Sequence, residues 1–96
     1  MITYDNIQEW AKPHKLGYGK QVRLSNGLIE FSIVGGAQGL YGDFIDNFEV
    51  AIIDKKTHQF ITKFFVDCPE DIVPYMQSEE LLKTLNKFLV NNFQVF

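Results

Sequence analysis

A second cysteine is missing. Cys68 stands alone, so no internal disulfide can staple the chain, and the fold must rest on its hydrophobic core. Proline is scarce, with three residues, and 46% of the chain is apolar, a balance that excludes an intrinsically disordered segment. No apolar run approaches the roughly 20 residues needed to span a bilayer, and no basic-then-apolar leader opens the chain. With the lone thiol, these absences favour a cytoplasmic protein without membrane association.

Cations are missing from one long block. Residues 26–54 hold Glu30, Asp43, Asp46, Glu49 and Asp54 but neither Lys nor Arg. Phosphate contacts require those cations, so direct nucleic-acid binding is disfavoured. The rest of the chain carries a small positive excess that offsets less than half of this block, for a net charge of −3. Chemistry-bearing motifs are missing too. Gly35-Gly36-Ala37-Gln38-Gly39 follows an apolar run but lacks the Gly-Lys-Ser/Thr ending of a phosphate loop, and Asp43 and Asp46 behind it repel anions. The acids Asp67, Glu70 and Asp71 have no further metal ligands near them in sequence. Neither a cofactor nor a metal is implied, and no catalytic residue is singled out. A Cys–His enzyme would need Cys68 brought against His14 or His58, and a second enzymatic arrangement would combine Tyr41 with the acids around the glycine loop. Neither has a spacing that chemistry dictates.

What is present is material for one small α+β domain spanning residues 1–96. Thr3 or Asp5 caps a short first helix ending near Lys12 before Pro13, with Ile2 and Ile7 placed as a hydrophobic staple and Trp10 as its anchor. His14 reads as a solvated loop residue. Asn26-Gly27 between Lys20–Ser25 and Leu28–Val34 predicts a two-residue hairpin that pairs Arg23 with Glu30 and puts Val22, Leu24, Ile29, Phe31 and Ile33 on one face. Residues 35–46 form a flexible or bulged connection.

Phe48–Ile53 and Phe60–Phe65 read as a second hairpin. Asp54 organises its turn, and His58 takes a left-handed position there. Residues 67–75 read as a loop with at most one helical turn. Ser78 caps an amphipathic helix from Glu79 to about Asn91, with Leu81, Leu82, Leu85, Phe88 and Leu89 on one stripe. The expected architecture is therefore a four-stranded, mainly antiparallel sheet in the order α-β-β-β-β-α.

The hairpin at 48–66 is apolar on both sides, so either the C-terminal tail and N-terminal helix split across the two faces or a second apolar patch stays exposed as an association surface. This points to a small non-enzymatic interaction or accessory protein. Its nearest partner is itself, as a homo-oligomer, through Ile53, Ile61 and Phe65 or through the apolar tail Phe93, Val95 and Phe96. The alternative is an acidic inhibitor, immunity protein or nucleic-acid mimic that binds a basic partner through Asp43, Asp46, Glu49 and Asp54. The Lys-, Asn-, Ile- and Phe-rich composition is that of an AT-rich genome, in keeping with a phage or mobile-element origin.

Overall fold

The computed structural model describes residues 1–14, 18–89 and 92–96. Helix α1 (Tyr4–Trp10) starts from Thr3, whose hydroxyl accepts from the Asn6 amide while the Asn6 side chain accepts from the Thr3 amide. This reciprocal cap uses Thr3 rather than Asp5. Ile2 and Ile7 flank it, both buried, as the staple requires. Seven residues are too few for a self-sufficient helix, so its neighbours must hold it. Tyr4 Oη donates to the Ile45 carbonyl at 2.9 Å and Gln8 Nε2 to the Phe44 carbonyl at 2.8 Å.

A wholly antiparallel sheet follows, of strands β1 (Lys12–Pro13), β2 (Lys20–Ser25), β3 (Ile29–Gly35), β4 (Asn47–Asp54) and β5 (Ile72–Gln77), paired in that order. After helix α2 (Ser78–Phe88), a last short strand, β6 (Gln94–Val95), also pairs with β2. The α+β class with a helix near each end is as expected, but the sheet has two extra short strands. His14 is buried, not solvated; its amide donates to the carbonyl of Gly19, the residue before β2.

The β2–β3 hairpin forms with its register moved two residues along from the expected one. Leu24 pairs with Phe31, Val22 with Ile33 and Arg23 with Ser32. A tight two-residue turn needs positive φ at both centres, and among the described residues Gly27 has it while Asn26 does not. Asn26 Oδ1 instead accepts from the Leu28 and Ile29 amides, and Ser25 Oγ accepts from the Gly27 amide, which builds a longer loop. A two-residue slip preserves faces, so the expected apolar side survives. Arg23 still reaches Glu30 diagonally, with two hydrogen bonds of 2.9 and 3.0 Å.

The larger correction concerns residues 60–77. His58 does sit in the left-handed region at φ 62°, after Asp54 Oδ1 has accepted from the Lys56 and Thr57 amides. Beyond it the ladder shrinks to an isolated bridge of Phe60 to Ile53, with the Ile61 amide donating to the Ile52 carbonyl at 2.8 Å. The expected strand Phe60–Phe65 gives way to a single 3-10 turn at Thr62–Phe64. Thr62 explains the departure. Its buried hydroxyl accepts from the Ile52 amide at 2.9 Å and donates to the Asp71 carbonyl at 2.6 Å, replacing a strand partner for β4. The fourth long strand is β5, in a stretch expected to be a loop. Pro74 lacks an N–H and suits an edge strand, and the β4–β5 register shifts opposite it between Phe48 and Val50.

Strand alternation sends Val22, Leu24, Phe31, Ile33, Phe48, Val50, Ile52 and Met76 to one side, where Ile2, Ile7, Leu81, Leu85 and Leu89 complete the core. Both helices therefore cover the same face. Strand β5 runs straight into α2: Ser78 is its first helical residue rather than its side-chain cap, and its amide donates to the Asp46 carbonyl. The expected helix end near Asn91 lies outside the described residues.

Candidate functional site: the open sheet face

The face opposite the helices is laid out in three transverse rows, since directly paired residues share a side. The first runs Lys12–Gln21–Val34–Glu49, the second Arg23–Ser32–Ala51–Ile72, and the third Ser25–Glu30–Ile53–Phe60. Ser32 and Ala51 make the centre shallow. The β4–β5 side is apolar and aromatic: Tyr75, beside buried Met76, must point to this face, and its ring meets Tyr41 edge-on at 5.8 Å. Tyr41 is 51% exposed, Tyr75 58% and Phe60 46%. These two tyrosines, Ile72, Pro69, Pro74 and Glu70 line a cleft of about 390 Å³ that Cys68 also borders.

Opposite this apolar side stands a cationic one. Glu30 is buried and holds Arg23 in a bidentate pair, with Lys55 Nζ at 3.5 Å. Burial alone would raise the Glu30 pKa; the Arg23 hydrogen bonds and the charges of Arg23 and Lys55 outweigh it and hold the carboxyl below its ordinary value. The Phe96 ring lies 5.5 Å from the Arg23 guanidinium and 5.2 Å from Lys55 Nζ, and is 40% exposed. Both sheet edges are blunted. Strands β1 and β6 cover parts of β2, and Pro74 interrupts β5.

The residues proposed from sequence are scattered over this frame. Ile53 lies on the open face, half-buried between Glu30 and Phe60. Ile61 and Phe65 instead pack against the core, Phe65 edge-on to Phe88 of α2 at 4.9 Å. Phe93 packs on Trp10, Val95 is exposed in β6, and Phe96 reaches the open face.

The acids divide similarly. Glu49 is on the face and accepts from the Tyr41 amide at 3.1 Å. Asp43 accepts from the Ile45, Asp46 and Asn47 amides, which lower its pKa and hold buried Phe44 at φ 61°. Asp46 is exposed in the same turn, whereas Asp54 organises the turn at the far end of β4. Tyr75 and Ile72 are not among the residues proposed from sequence, because 67–75 reads there as a loop. The run Ile72-Val73-Pro74-Tyr75-Met76 carries the signal, since an apolar run broken by one proline is an edge-strand pattern.

The described residues form no group able to hold a metal ion, and no helix among them is long and apolar enough to cross a membrane. The Cys68 thiol donates to the Glu70 carbonyl. Compared with protein-family models, curated proteins and solved structures, the chain finds no match.

Proposed function

We propose that this chain is a small non-enzymatic interaction protein that associates, with itself first of all, through the sheet face its helices leave open. The observation that carries this reading is the placement of both helices on one side while Tyr41, Phe60 and Tyr75, each about half-exposed, share the other. Exposed aromatics clustered on a shallow surface are what protein interfaces draw on. The tail alone is the weaker handle, because β6 already pairs with β2 and the Phe96 amide donates to the Arg23 carbonyl. An acidic surface for a basic partner has less support, because Asp54 is separated from Asp43 and Asp46 by the length of β4.

Light scattering after size-exclusion chromatography tests the reading. The wild type should associate, and Tyr75→Asp should be monomeric yet still melt cooperatively, since Tyr75 is outside the core. A wild type that stays monomeric at every concentration, or a Tyr75→Asp variant that still associates, overturns it.

A further inference from the structure

The open face is polarised, and its polarity specifies how a second copy fits. Cations lie on the β1–β2 side, with Lys12 opening the first row and Arg23 opening the second, and Lys55, just past β4, reaches in to Glu30, the partner of Arg23. Acids lie on the β4–β5 side, with Glu49 closing the first row and Glu70 lining the tyrosine cleft. Resting on the reading that this face is the binding surface, we propose that two copies stack their open faces about a twofold axis running along the strands.

That axis keeps height along the strands and exchanges left for right. Lys12 then lies over Glu49 of the second copy, and Arg23 and Lys55 lie toward its Glu70. An axis across the strands keeps left over left, so the cationic side would lie on the cationic side and the acidic side on the acidic side, which like-charge repulsion disfavours. The apolar groups agree with the charges. Phe96, at the height of the second and third rows on the cationic side, falls over Ala51 and Ile53 of the copy.

The areas are of the right size as well. Four half-exposed aromatic residues, Tyr41, Phe60, Tyr75 and Phe96, offer roughly 100 Å² each, or about 400 Å² together. A standard interface buries about 800 Å² per partner, a little over half of it apolar. With both edges blunted, face-to-face stacking into a two-sheet sandwich is the route left open for joining sheets.

Charge exchange tests the geometry. Lys12→Glu and Glu49→Lys should each weaken self-association on the order of tenfold, because each sets like charges face to face. Mixed together, the two variants should associate again. In the mixed dimer the carboxylate introduced at position 12 of one chain meets the ammonium introduced at position 49 of the other, and the unaltered Lys12 meets the unaltered Glu49. Sedimentation velocity on each variant and on the mixture reads the result, and thermal melts verify folding. Glu49→Gln, which keeps an acceptor for the Tyr41 amide, should weaken association in the same direction by less. If the mixture stays monomeric, or neither single variant weakens the dimer, while Tyr75→Asp still abolishes it, the twofold arrangement fails and the open-face reading stands. If Tyr75→Asp leaves the dimer intact, both fail.

Discussion

Thr62 does at one residue what a strand would have done along its whole length. Its hydroxyl is the partner of the Ile52 amide and of the Asp71 carbonyl, and its side chain is buried. Thr62→Val keeps the shape and leaves the buried Ile52 amide without its partner, which costs about 1–3 kcal/mol. Thr62→Ser restores the hydroxyl and should recover most of that loss; urea unfolding of the three proteins measures it. A Val variant as stable as the wild type would remove Thr62 as the reason the chain leaves the sheet. Nothing in the sequence marks such a residue. A threonine inside an apolar, β-branched run reads as strand, and only the position of Ile52 in space turns it into a strand breaker. His58 is the opposite case, because its turn chemistry is local and therefore legible.

Helix α1 depends on an element far along the chain. Asn86 of α2 accepts from the Ile2 amide at 2.7 Å and donates to the Ile2 carbonyl at 2.8 Å, clasping the backbone just before the Thr3 cap. Asn86→Ala removes both bonds and should cost about 1–2 kcal/mol, with faster amide exchange in residues 4–10 than in β3. Uniform loosening of the whole molecule would count against a local clasp. The contrast with what sequence supplies is physical. The Thr3 cap, the Ile2–Ile7 staple and the α2 stripe depend on spacings within one element, and they are readable. The Asn86–Ile2 clasp, the identity of the fourth strand and the burial of His14 depend on which elements meet. The open face follows from the two-sided apolarity of residues 48–66, yet its aromatic half comes from Tyr41 and Tyr75, outside that stretch. Phe65, a candidate for that face, turns inward because its strand does not form.

At the scale of the whole molecule, two carboxylates tie stability to acid. Glu30 and Asp43 both titrate below their ordinary values of 4.5 and 3.8, Glu30 because Arg23 and Lys55 overcome its burial, Asp43 because backbone amides donate to it. Folding therefore holds these groups deprotonated more firmly than the unfolded chain does. The stabilisation they supply is fully present above about pH 4.5 and is lost as pH falls through their lowered folded-state values. Below those values both groups are protonated in either state, and the pH dependence they cause levels off. Urea midpoints measured from about pH 7 to about pH 2.5, at concentrations low enough to keep the chain monomeric, should be flat above about pH 5 and decline below about pH 4.5. Glu30→Gln should start lower at neutral pH, because Arg23 and Lys55 lose their counter-charge, and should decline less steeply into acid. Equal slopes for the two proteins would show that the Arg23–Glu30–Lys55 cluster carries none of the acid sensitivity. The same cluster lies under Phe96 on the open face, so loss of the Glu30 charge also leaves that side of the face more positive.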